Sequence, residues 1–213
     1  MNDSKVEVTG FEARHYDLLM NIITFGTYPS FIRNAISKTN IQPTDQIIDL
    51  GCGTGRNSCL MAKHLSSEGK IIGLDIGSEM IEQFQQKCRA YPYVEIQNLR
   101  IDEPLPFKNE FDKAIISFVF HGFPDKKKTG IIENVKKALK PGGHLFILDY
   151  NEFDIEKKPF IFSQAFKKLE CPLALDYIKV DWKSKLKNWG FDSFEEHLFL
   201  WKIIRLLKAE LKN

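Results

Sequence analysis

No apolar run in the 213 residues comes near the roughly 18 that a membrane-spanning helix requires. The longest, Ala114-Ile115-Ile116 and Phe118-Val119-Phe120 on either side of Ser117, are only a few residues each. Cysteine is scarce: Cys52, Cys59, Cys88 and Cys171 are scattered, with no Cys-x-x-Cys pair. That spacing argues against a zinc site or any other metal site, and the four read as reduced cytosolic thiols. The opening Met1-Asn2-Asp3-Ser4-Lys5 has neither the basic region nor the apolar segment of a secretory signal, so a cytoplasmic location is expected. Repeats, low-complexity tracts and Ser/Pro linkers are missing too. A surplus of charge is also lacking. The net +2 is too small to announce a nucleic-acid partner, and none is expected.

What is present is the composition of a globular protein, 43% hydrophobic and 27% charged, at a length that suits one domain. Charge is unevenly spread. Residues 1–125 carry 12 basic and 16 acidic side chains, and residues 126–213 carry 18 and 12. The net +6 of the second half is a solvated lysine surface in the plainest reading, and peripheral contact with anionic lipid in the other.

Strand and helix patterns alternate. Helical spacing runs through Phe11–Met20 and Phe31–Ile36. Gln46–Leu50, Lys70–Asp75, Tyr93–Ile96, Asp112–Phe118 and His144–Asp149 read as strands. Helices are expected over Asn57–Leu65, from Ser78 as N-cap to Cys88, over Lys126–Leu139 and over Asp181–Asn188. Lys140-Pro141-Gly142-Gly143 is expected to end the third of these. This order implies a parallel sheet covered by helices on both faces, with ligands bound at the carboxyl ends of its strands. From Leu198 onward the apolar positions fit a helix and a buried strand equally well.

The sharpest local feature is Asp49-Leu50-Gly51-Cys52-Gly53-Thr54-Gly55 at a strand-to-helix turn. Glycines there let the backbone approach a ligand closely. The dinucleotide fingerprint would need glycine where Arg56 stands, and Asp49 would repel a pyrophosphate while suiting an amino group. Asp75, ending the next strand, is placed to accept ribose hydroxyls.

These segments, with Gly73-Leu74-Asp75, Leu105-Pro106-Phe107, Phe111-Asp112 and Leu139-Lys140-Pro141-Gly142-Gly143, occur in the order seen in class I S-adenosylmethionine-dependent methyltransferases, and the chain resembles that family over residues 40–150. The resemblance implies a three-layer Rossmann-like sandwich whose seven-stranded, mostly parallel sheet has its last strand antiparallel. Trp182–Gly190 with Phe191 looks like the family's final helix and Gly-Phe turn, so the C-terminal run is read as strands. It implies S-adenosylmethionine as cofactor. Asp49, Gly51 and Gly53 would line its methionine part, with Cys52 and Gly55 in the same cofactor-binding turn, and Asp75 would hold its ribose. Ile76, Met80 and the Ile101 N–H would meet the adenine, with Phe118 closing the site. The family's acid near the Leu-Pro-Phe segment is replaced by Arg100, with Asp102 two residues on.

Ala13-Arg14-His15-Tyr16-Asp17 and Thr24-Phe25-Gly26 resemble, more narrowly, the opening of the ubiquinone/menaquinone biosynthesis C-methyltransferases, which implies that Tyr16 closes over the cofactor. The tyrosine-rich pattern of that group after the fifth strand is missing. One domain is expected, with covering helices in 1–45, a cofactor-binding core in 46–150 and an acceptor-side segment with the last strands in 151–213. Methylation of a ring carbon needs a base, and His121 is the candidate, with Asp149 and Tyr150 beside it. Phe153, Phe160, Phe162 and Phe166 would line an apolar pocket for a small-molecule acceptor or form core. An RNA or protein methyltransferase and a non-catalytic cofactor-binding module stay open as alternatives. The oligomeric state is not legible.

Overall fold

The computed structural model describes residues 27–212. Seven strands form one sheet in the order β3-β2-β1-β4-β5-β7-β6. They are β1 (Gln46–Leu50), β2 (Lys70–Asp75), β3 (Val94–Asn98), β4 (Phe111–Ser117), β5 (Leu139–Tyr150), β6 (Phe191–Phe199) and β7 (Ile204–Leu211). All pairings from β3 through β5 are parallel, and β7 runs antiparallel to both β5 and β6. The described helices are α1 (Tyr28–Ser37), α2 (Arg56–Ala62), α3 (Ser78–Cys88), α4 (Asp125–Ala138), α5 (Phe160–Leu169), α6 (Pro172–Tyr177) and α7 (Trp182–Asn188).

The central strands are short and apolar because both of their faces are covered. Ile48, Leu50, Ala114 and Ile116 pack under α4 and α7, and Ile47, Ile71, Ile115 and Phe146 pack under α1 and α2. Each such isoleucine, leucine or phenylalanine contributes about 1.5–3 kcal/mol relative to exposure. The C-terminal ambiguity has the same cause. Ile204, Arg205, Leu206 and Leu207 are all buried because β7 is an interior strand, so no period-2 alternation marks it. The strand reading holds. The expected helix at 11–20 lies outside the described residues.

Three expectations change. Lys140–Gly143 does not separate helix from strand: β5 begins at once, with Leu139 paired to Phe111, and the register shifts between Phe111 and Lys113. Gly142, at φ 72°, takes up the irregularity. Ser78 is the first helical residue of α3 and its hydroxyl donates to Glu79, so it is not the cap. Two of the four cysteines are not free thiols, because Cys59 of α2 and Cys88 of α3 form a disulfide. Their separation of 29 residues matches no local motif; they meet because α2 and α3 pack side by side. Cys52 and Cys171 are free.

Candidate active site

The carboxyl ends of β1, β2, β4 and β5 deliver four segments to one end of the sheet. The Asp49–Gly55 turn leaves β1 with Gly51, Gly53 and Gly55 all at positive φ. The Gly51 and Cys52 N–H groups donate to the Leu74 carbonyl, which fastens the turn to β2. A Cβ at Gly51 would stand 2.7 Å from Val119 and one at Gly55 2.7 Å from Phe84, whereas one at Gly53 would meet nothing within 4 Å. Two of the glycines therefore serve packing, and Gly53 borders open space.

Asp49 is buried. Its Oδ2 accepts the Ser58 hydroxyl at 2.6 Å, while its Oδ1 is buried without a partner. Burial pushes its carboxyl up to about 6, against the Ser58 hydrogen bond and with help from the nearby Asp75 charge. An acceptor atom left bare in such a place suits an ammonium group. Asp75 Oδ2 accepts the Gly53 N–H at 2.8 Å, and its Oδ1 accepts those of Ile76 and Gly77.

Beside this loop lies a cleft bounded by Gly51, Asp75, Ile76, Ile101, Asp102 and Val119. The Ile101 N–H has no partner among the described residues, and its carbonyl accepts from Asn134 of α4 at 3.0 Å. Asn134 also grips the Glu103 carbonyl and so fixes the whole turn. That residue escaped sequence reading, since its partners are backbone groups some 30 positions away. Asp102 is ion-paired to Lys127 at 2.9 Å and to Arg100 at 3.2 Å. Burial opposes its ionisation, but those two cations together hold its carboxyl below the usual range.

Met80 stands behind Gly77, 3.2 Å from where a Cβ would be, and is buried. Phe118 adopts φ 54°, an uncommon conformation for an aromatic residue. Its ring packs on Phe31, in the cluster beneath α1, and the next residue, Val119, faces the cleft instead. Phe153, Phe162 and Phe166 form a cluster with Ile155, Ala174 and Ile178, while Phe160 is exposed. Tyr16 lies outside the described residues.

His121, two residues past Val119, meets the end of β5. Its Nδ1 is 2.7 Å from Asp149 Oδ1, and its backbone N–H donates to Oδ2 of the same carboxylate. Its ring lies against Tyr150, with centroids 5.1 Å apart. Burial pushes the imidazole down, but the charge and hydrogen bond of Asp149, with the charge of Glu170, outweigh it and leave His121 above the ordinary histidine value. His121, Asp149 and Tyr150 are thus brought together.

A parallel sheet with a glycine turn after β1, an acid ending β2 and a buried acceptor at the turn defines a nucleoside-cofactor-binding α/β domain. The described family model "Methyltransferase domain" matches residues 41–195, and the chain belongs to the S-adenosylmethionine-dependent methyltransferases. It is 32% identical over 145 residues to a demethylmenaquinone methyltransferase of Lactiplantibacillus plantarum, covering 67% of this chain and 60% of the relative. To a ubiquinone/menaquinone biosynthesis C-methyltransferase of Francisella philomiragia it is 28% identical over 204 residues, covering 86% and 81%. The chain thus spans less than two thirds of the first of these relatives. A solved SAM-dependent methyltransferase from Aquifex aeolicus shares the fold, with TM-score 0.62 at 18% identity, covering 84% of this chain and 89% of that one. The cofactor of the family is S-adenosylmethionine, and the unpartnered Asp49 Oδ1, the open space at Gly53 and the bare Ile101 N–H fit it.

Proposed function

We propose that this protein transfers a methyl group from S-adenosylmethionine to a carbon of a small, largely apolar ring acceptor, with His121 as base. The observation that carries the reading is the His121–Asp149 pair beside the cofactor loop, since transfer to an oxygen or nitrogen of low pKa needs no such base. The names of the relatives, which concern quinone biosynthesis, support the acceptor class.

In this reading Asp49 holds the cofactor's amino group, Gly53 and Cys52 flank its methionine part, and Asp75 accepts a ribose hydroxyl. Ile76 and the Ile101 N–H receive the adenine. When bound, the cofactor supplies an electrophilic methyl on a cationic sulfur. Asp149 holds the Nδ1–H tautomer of His121, which leaves Nε2 free to take a proton from a hydroxyl on the acceptor ring, and Tyr150 orients the imidazole from one face. Tyr16 would close over the cofactor and exclude water. Removing residues 1–20 should then cut turnover much more than fold stability.

An apolar acceptor also favours contact with a membrane. Trp201 is 88% exposed at the turn between β6 and β7, and Phe160 and Ile161, at the start of α5, are 76% and 83% exposed. The β6–β7 turn lies at the carboxyl end of the parallel strands: Tyr150, ending β5, pairs with Ile204, and Asn151 Nδ2 donates to the Lys202 carbonyl. Lys158, Lys168 and Lys202 have no carboxylate partner among the described residues, which suits anionic headgroups.

The test is to offer demethylated quinol and a panel of polar metabolites with labelled S-adenosylmethionine. Label in the quinol ring is expected. Label in a polar metabolite alone would overturn the acceptor class, and binding of cofactor without transfer to anything would favour a non-catalytic module.

A further inference from the structure

Asp149 is not the only carboxylate turned towards His121. Glu170, the residue that ends α5, places Oε2 3.9 Å from His121 Nε2, on the edge opposite Asp149. It does not hang free. The Tyr150 hydroxyl donates to Glu170 Oε1 at 2.5 Å, and the Tyr150 ring is itself wedged against both His121 and Phe166 of α5. The chain of contacts runs Asp149–His121–Glu170–Tyr150, and Tyr150 returns to its start because its backbone N–H donates to Asp149 Oδ1. An imidazole edge faced by a carboxylate 3.9 Å away is too far for a direct hydrogen bond, but near enough for strong attraction once that edge carries a proton.

We propose that Glu170 is a positioning residue of the methyl-transfer site, which holds the Nε2 edge of His121 towards the acceptor and steadies the proton that arrives there. The proposal rests on the reading of His121 as base. In the step it serves, the O–H bond of the acceptor hydroxyl breaks. The proton goes to Nε2, and the electron pair stays on oxygen and is shared with the ring carbon. As that carbon bonds the methyl, the methyl–sulfur bond would break with its pair on sulfur, and the carbon then loses its own hydrogen as a proton to restore the ring. The imidazole turns into a cation between two carboxylates, one hydrogen-bonded at Nδ1 and one at short range of Nε2. Tyr150 anchors Glu170 so that the second carboxylate neither collapses onto the imidazole nor swings into solvent.

The other groups facing His121 are few. Lys128 of α4, buried and lying over the rings of Tyr177 and Trp182, opposes the charge on the imidazole, and Asp125 is 3.8 Å from its ammonium. The rings of Tyr150 and Tyr177 lie 5.1 and 6.3 Å away. Among them only Asp149 and Glu170 favour the cation, and only Glu170 faces the edge where the proton lands.

The experiment compares wild type with Glu170→Gln, Glu170→Asp and Tyr150→Phe, each checked for an unchanged thermal melt. Two readouts are taken: titration of the His121 ring followed by NMR in protein without acceptor, and the pH profile of kcat/KM with quinol as acceptor. Glu170→Gln should move the His121 titration to lower pH and shift the acid limb of the rate profile with it, while lowering turnover on the plateau several-fold. Glu170→Asp should recover part of both changes. Tyr150→Phe, which frees the carboxylate from its anchor, should move them in the same direction as Glu170→Gln. A His121 titration that stays put in Glu170→Gln overturns the proposal. A titration that moves while the rate profile does not overturns the base reading beneath it, and the two failures are thereby told apart.

Discussion

Asp75 Oδ2 accepts the Gly53 N–H at 2.8 Å, so the acid at the end of β2 directly holds the glycine turn at the end of β1. Its other oxygen accepts two more backbone N–H groups. The same carboxylate thus organises the loop and faces the cleft. Asp75→Ala is expected to weaken S-adenosylmethionine binding by about 1.5–3 kcal/mol, the range for hydrogen bonds to a charged group. Calorimetry on the folded variant checks this, and affinity equal to wild type would show that the ribose is not held there.

Gly53 and Gly55 should respond differently to a side chain. Gly53→Val meets no neighbouring atom but sits at φ 54°, where a β-branched residue is strained, so it should lower the melting temperature and, by filling the open space proposed for the cofactor, lose binding as well. Gly55→Ala must displace Phe84, which a Cβ would approach to 2.7 Å. Overpacking of this kind costs about 1–3 kcal/mol, and the melting temperature should drop before binding is considered. Binding isotherms taken well below each variant's melt separate the two roles: folded Gly53→Val should not bind, and folded Gly55→Ala should.

The buried Asp49 gives cofactor binding a pH dependence of known sign. Its carboxyl is raised to about 6, chiefly by burial, so below that pH the free protein carries a proton there. An ammonium group placed against Oδ1 favours the ionised form. Binding must therefore expel the proton, and affinity falls as pH drops through 6. Titrations at pH 5.5 in two buffers of different ionisation enthalpy should reveal proton release, and at pH 8 the difference should vanish. Asp49→Asn should abolish the effect along with much of the affinity.

The Cys59–Cys88 bridge closes a loop of 29 residues between the two helices that flank the glycine turn. Chain-entropy arguments give such a bridge about 2–4 kcal/mol. Cys59→Ser/Cys88→Ser, or reduction of the wild type, should lower the denaturation midpoint accordingly. An unchanged midpoint under reducing and oxidising conditions would show that the bridge contributes nothing to stability.

His121 lies above the ordinary histidine value because Asp149 and Glu170 together outweigh its burial. As a base it must be neutral. Transfer should accordingly rise with pH through a limb displaced upward from that of an unperturbed histidine, and His121→Asn should abolish both limb and turnover. A pH-independent rate from pH 6 to 9 would count against His121.

The residue order by itself determined the alternation of strand and helix, the glycine turn and the acid twenty residues beyond it. Each is written locally, in runs of β-branched residues, in glycines that take positive φ without strain, and in acids at strand ends. It also determined that His121, Asp149 and Tyr150 fall at strand ends. What local pattern cannot express is which strand end lies against which. Only the tertiary structure set His121 Nδ1 on Asp149, brought Glu170 to the opposite edge through α5, and paired Cys59 with Cys88 across two helices. It also turned Val119 and not Phe118 towards the cleft, with the Phe118 ring packed on Phe31. Chemistry-bearing residue types are visible along the chain, but their contacts depend on the crossing of layers separated by tens of residues, and those distances are fixed by packing alone.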